Sequence, residues 1–181
     1  MVDFGNIPTY SASELERLAA DLLKDRCWPT VEIPIDIDLL IEKEPGVILD
    51  YCKNLREKHH VAGMVFKKNT GSFLVLIDED IADNNPNFYR FTVAEELAHL
   101  RLHREVLAQI KDFDDLCKLM EWSSYHEIDR NAKRFAAALL MPGAYLLEDA
   151  RSLYPELVKV AGFDNPDAVL NYLISGLSKK Y

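Results

Sequence analysis

Three short runs rich in β-branched and large apolar residues stand close together: VILDYC (47–52), VAGMVFK (61–67) and SFLVLID (72–78). Helical spacing dominates the rest of the chain, so the runs are expected to form one small sheet packed on helices. Asn69-Thr70-Gly71 has hairpin-turn chemistry and joins the last two runs. A helix, a small and mostly antiparallel sheet, then a helical bundle make α+β the expected fold class.

SASELERLAADLLKDR (11–26) opens with Ser11 or Ser13 as N-cap, and Leu15, Leu18, Ala19, Leu22 and Leu23 recur on one helical face. WPT (28–30) is expected to break that helix, and a second one starts near Asp36 and ends near Pro45-Gly46. ADNNPN (82–87) reads as a polar loop. FTVAEELAHLRLHREVLAQI (91–110) is helical, with Thr92 as a candidate N-cap and Glu95 at the capping-box spacing. A short helix follows around 114–121. HEIDRNAKRFAAALLMP (126–142) is a strong helix stopped by Pro142-Gly143, and beyond it short helices are expected to break at Pro155 and Asn165-Pro166.

A chain of 181 residues has room for one compact domain and a small appendage. Its longest apolar runs, FLVLI (73–77) and FAAALLM (135–141), are too short to cross a bilayer, and no basic stretch leads into an apolar core at the start. A cytoplasmic location is the expectation. Cys27, Cys52 and Cys117 have no metal-binding spacing and read as free thiols. The net charge of −9 repels phosphates, which disfavours direct nucleic-acid binding and leaves a protein partner as the easier reading.

The chemistry concentrates in Glu95, Glu96 and His99. Residues i and i+4 of a helix project from one face, about 6 Å apart along the axis. In H-E-x-x-H, that spacing lets two histidines grip one metal ion while the glutamate acts as general base on a bound water. Here Glu95 stands where the first histidine would be, His99 is the second ligand position and Glu96 the base position. Glutamate can ligate zinc, though its charge makes the metal a weaker Lewis acid and shifts preference toward Mn or Fe. A third ligand has to come from the helix at 126–142. Asp129 is the candidate there, with Ala132 and Ala136 on roughly the same face to allow close helix packing; Glu127, His126 and Asn131 are other polar candidates. The competing reading is an ordinary acidic helix, with Glu95 as a cap or a solvated partner of His99. His103 extends the stripe but suits a helix-terminal or packing role, and His59-His60 reads as surface.

Taken together, the segments PIDIDLLIEKEPGVIL, AGMVF, YRFTVAEELAHLRLH and EIDRNAKRFAAALLMP, in this order, resemble the ImmA/IrrE family of metallopeptidase-like proteins. The resemblance runs over most of residues 10–145. The family's usual forms are RFT-x-AHE-x-x-H-x-x-LH and E-x-x-A-N-x-FAA-x-LLMP. The resemblance implies a zincin-like domain over 1–145 that cleaves a partner repressor of the XRE helix-turn-helix type, in mobile-element immunity or stress-response switches. It implies Glu96 as general base and His99, Glu95 and Asp129 as ligands to a divalent metal, zinc in the first instance. Glu95 and Asp129 depart from the usual His and Glu, and Lys133 replaces the common Asn. Two readings stay open: a variant metallopeptidase, and an inactive binding module of the same fold acting on a repressor or a toxin–antitoxin partner. In such enzymes the substrate lies as an added strand, so 61–67 or 72–78 is expected to be the sheet edge, with the 82–87 loop over the cleft.

Residues 146–181 form the expected C-terminal extension. LVKVAGFDNPDAVLNYLISGL (157–177) has helix-turn-helix rhythm, but no Lys or Arg occurs between Lys159 and Lys179. Packing or protein docking is therefore expected of it rather than DNA binding.

Overall fold

The computed structural model describes residues 4, 7–27, 30–161 and 166–181. Helix α1 (Ala12–Arg26) starts at the Ser11 cap, whose side chain and that of Glu14 satisfy each other's backbone donors in a capping box. It ends at Cys27; Trp28 and Pro29, expected to break it, lie outside the described residues. Helix α2 (Ile37–Glu42) is capped by Asp36, as the sequence suggested.

The sheet consists of β1 (Val47–Cys52), β2 (Gly63–Lys67) and β3 (Phe73–Asp78), in the order β1-β3-β2. Helix α3 (Leu55–His59) joins the first two strands. The β2–β3 hairpin turns at Gly71, whose φ of 89° lies in the left-handed region that glycine adopts without strain. β2 pairs antiparallel with β3, but β1 pairs parallel with β3, so the sheet is mixed rather than mostly antiparallel. The hairpin inserts β3 between the other two strands. FLVLI is the most apolar of the three runs and suits that central position, with Phe73, Val75 and Ile77 almost fully buried. β2 is consequently an edge, and the 72–78 run is not.

Helix α4 (Glu79–Asn84) occupies the first half of the stretch expected to be a loop, capped by Asp78 through bonds from Asp80 and Ile81. Helix α5 (Pro86–Leu102) then starts earlier than the sequence suggested. Asn85 is its N-cap and Pro86 sits in its first turn. Thr92 lies inside the helix, its hydroxyl donating to the Phe88 carbonyl at 2.8 Å, so neither Thr92 nor Glu95 is a cap. After α6 (Arg104–Leu107) and α7 (Phe113–Met120) comes α8 (Tyr125–Leu140), which ends just before Pro142. Gly143 opens the next helix rather than closing this one.

Helix α9 (Gly143–Ala161) continues through Pro155, which is exposed, and through the 145/146 boundary. Residues 162–165, including Asn165, lie outside the described residues, as does the turn of the helix-turn-helix rhythm. α10 (Pro166–Leu177) packs back on α9, and Asp149 receives both the Lys180 ammonium (2.6 Å) and the Tyr181 hydroxyl (2.7 Å). Arg90 of α5 clasps the Tyr181 main-chain oxygen at 2.7 Å and the Ile35 carbonyl at 3.1 Å.

The main core joins α1, α2, the sheet, α5 and α8 through residues such as Leu15, Leu40, Val75, Leu97 and Phe135. Ala94 and Ala98 on α5, and Ala132 and Ala136 on α8, are fully buried. These small side chains let the two helices approach closely, as the sequence predicted, and so bring Glu95 and Asp129 together. A second cluster around Met64, Ile110, Leu116, Leu119 and Ile128 lies beside it. All three cysteines are free and partly buried. Among the described residues no helix is long and apolar enough to cross a membrane.

Candidate functional site

Between β2, α5, α7 and the start of α8 lies a cleft of about 320 Å³. All four residues singled out in the sequence, Glu95, Glu96, His99 and Asp129, line it. Helix α5 places Glu95 and His99 one turn apart on its cleft side. Glu96 is turned inward and is buried against β2, where only a glycine fits: a Cβ on Gly63 would stand 2.7 Å from Glu96 Oε1 and 2.8 Å from Thr92 Cγ2. The 82–87 segment does not line the cleft; Phe88 and Phe91, further along α5, do.

Helix α8 contributes Tyr125, Asp129 and Lys133. Lys133 is the residue whose role the sequence did not show. Its Nζ lies 2.8 Å from Asp129 Oδ2 and 3.9 Å from Glu95 Oε1, so one ammonium faces both carboxylates. The i, i+4 spacing of Asp129 and Lys133 was the available signal, but it reads as a solvated helical pair until α5 is packed alongside. The other polar candidates on α8 do not join the site. Glu127 pairs with Arg130, His126 is exposed, and Asn131 is fully buried.

Burial sets the electrostatics. Desolvation pushes the Glu95 carboxyl up to about 7; Lys133 opposes the shift, while Asp129 adds to it by its charge and a shared hydrogen bond. Glu96 is raised well above the ordinary carboxylate range by burial, then by the charges of Glu95 and Asp129. Burial thus favours its protonated form. His99 is pushed down to about 4 by burial and by the Lys133 charge, so its imidazole is neutral. His103 caps the C-terminus of α5, 2% exposed, and is lowered to about 3 by burial and by His99. It is a packing histidine, its ring centroid 5.5 Å from that of His99. His60 is exposed and lines the cleft, whereas His59 stacks on Phe113 at 4.1 Å.

These shifts predict the pH profile of stability. The raised carboxyls contribute stability that is complete below their ordinary value of 4.5 and is lost as pH rises through their folded values. The lowered histidines contribute stability that is complete above 6.5 and is lost as pH falls through about 4 and about 3. Between 4.5 and 6.5 the two trends oppose. A melting temperature measured across pH is therefore expected to show a mildly acidic plateau and to decline on both sides. Stability still climbing between roughly pH 6.5 and 8.5 would contradict these assignments.

A catalytic divalent ion needs three protein ligands converging at about 2.0–2.2 Å. Among the described residues, no three His, Cys, Asp or Glu side chains are placed in that way. The space between Glu95 and Asp129 is faced by the Lys133 ammonium. An ion placed there would be repelled by the ammonium, so Lys133 and a metal compete for the same two carboxylates. A metal-binding histidine also donates its second ring nitrogen to an orienting partner, whereas His99 Nδ1 is buried with none among the described residues. The donor set, with Lys133 in place, does not fit a divalent metal.

A model of the IrrE N-terminal-like domain matches residues 77–163, from the end of β3 to just beyond α9. The match includes Glu95, Glu96, His99, Asp129 and Lys133. No curated protein matches the chain.

Proposed function

We propose, for a chain that belongs to the ImmA/IrrE family of metallopeptidase-like proteins, that it regulates a partner protein by holding an extended segment of that partner in the cleft along β2. The observation that carries this reading is the edge of β2 ahead of Lys67, where the main-chain groups of Gly63 and Val65 have no partner among the described residues. Lys67 N–H points away from β3, donating to the Ile110 carbonyl at 2.8 Å, so by alternation Gly63 and Val65 present their N–H and C=O groups to the cleft side. An unpaired edge beside a groove is the surface to which a strand adds. The family supports an XRE-type repressor as the partner, with the encounter in the cytoplasm. The acidic surface agrees with a protein partner rather than DNA.

A second reading is metal-dependent cleavage of that repressor. It is favoured by Glu96 and the neutral His99 at the base and ligand positions of the zinc-peptidase motif, and by the acid at position 129. It requires Lys133 to leave the carboxylates and Glu96 to act as a carboxylate base against a burial that favours its protonated form.

Hydrogen exchange with a purified XRE-type repressor tests the first reading. The amides of Gly63 and Val65 are expected to slow by at least about tenfold on binding, while the already paired amides of Met64 and Phe66 change little. An edge that exchanges at the same rate in the complex sinks it. Intact mass of the repressor decides the second reading: cleavage abolished by Glu96→Gln would establish it, and a repressor left whole by the wild-type protein removes it.

A further inference from the structure

We infer that the Lys133 ammonium is the resident cation of this cleft, occupying the place that a divalent metal takes in an i, i+4 ligand site with a third carboxylate from a neighbouring helix. The geometry carries the inference. Lys133 is one turn beyond Asp129 on α8, and its Nζ meets Asp129 at 2.8 Å while facing Glu95 across the helix pair at 3.9 Å. Both carboxylates are largely buried, at 18% and 25% side-chain exposure, so they need a counter-charge at close range. No other lysine or arginine is paired with either carboxylate among the described residues.

Charge balance points the same way. A glutamate in place of a histidine adds one negative charge to the donor set, and the lysine of α8 adds one positive charge beside it. The cation is tethered to the helix that bears Asp129, so a dissolved ion competes against a group held permanently at the site. The third observation is His99. Among the described residues its Nδ1 is buried without the orienting acceptor that a metal-ligating histidine has. The cleft therefore keeps its shape without bound metal. This inference concerns what holds α5 and α8 together at the cleft and does not depend on the identity of a partner, so it stands or falls apart from the exchange experiment above.

Two measurements test it. In thermal denaturation without metal, Lys133→Met is expected to lower Tm by about 3–6 °C more than Lys68→Met, a lysine-to-methionine change on an exposed turn. Lys133→Arg should retain most of the wild-type Tm because it keeps a cation. In zinc titration by calorimetry, Glu95→His/Lys133→Asn is expected to bind one equivalent of Zn²⁺ at least about 100-fold more tightly than the wild type. Wild-type protein binding one Zn²⁺ as tightly as the double variant would overturn the inference. So would a Lys133→Met protein no less stable than Lys68→Met, and that comparison decides the matter even if the double variant does not fold.

Discussion

Phe135→Ala is expected to cost about 3–5 kcal/mol, a drop of roughly 10 °C in Tm for a chain of this length. Phe135 is the largest fully buried side chain among the described residues, 1% exposed, in the core that joins α8 to α1, α5 and the sheet. Truncation removes the transfer energy of the ring and leaves a cavity between helices that cannot close, because their facing side chains are already alanines. Its consequence reaches the cleft. Phe135 lies two residues beyond Lys133, on the buried side of the same helix, so a loosened α8 carries Asp129 and Lys133 away from Glu95. Chemical denaturation measures the loss directly, and a cost below about 1 kcal/mol would mean that α8 is not anchored by this ring.

Gly63→Val is the second large effect. The strand approaches α5 so closely that even a Cβ would stand 2.7 Å from Glu96 Oε1, 2.8 Å from Thr92 Cγ2 and 3.0 Å from Ile77 Cδ1. Ile77 is fully buried on the central strand, and Thr92 is pinned by its bond to Phe88. Three neighbours crowd the same point and at least one of them must move, so valine is expected to cost about 3 kcal/mol. The strain lifts β2 from α5 or turns Glu96 out of its buried place. Either movement distorts the edge proposed to receive the partner, so partner affinity is expected to fall together with stability. A Gly63→Val protein with wild-type melting and wild-type binding would show that the close contact has no part in shaping the cleft.

Much of this was legible before the fold was known. The apolar periodicity of α1 and α8, the Ser11 and Asp36 caps and the Gly71 turn are local signals, and each predicted its element. The i, i+4 relation of Glu95 and His99 and the nearness of Asp129 were readable because helical geometry fixes the first and the alanines of α8 favour the second. What was not legible depended on pairing at a distance. The parallel partnership of β1 with β3 follows from which strand takes the centre, which no single run reveals. Thr92 reads as a cap until Asn85 and Pro86 start the helix about two turns earlier. Pro155 reads as a break, yet on an exposed helical face it is accommodated. Lys133 was visible only as an unusual residue in the second motif. Its meaning required α5 and α8 side by side, because the two carboxylates it serves come from different helices.

The central claim is that the Lys133 ammonium takes the place of a metal between Glu95 and Asp129. Crystals of the wild-type protein grown with millimolar Zn²⁺, with anomalous data collected at the zinc edge, test it most directly. The account predicts no anomalous peak among Glu95, His99 and Asp129, with Lys133 Nζ resting between the two carboxylates. A full-occupancy peak at that position, with Lys133 swung out into solvent, would contradict it and return the site to metal chemistry.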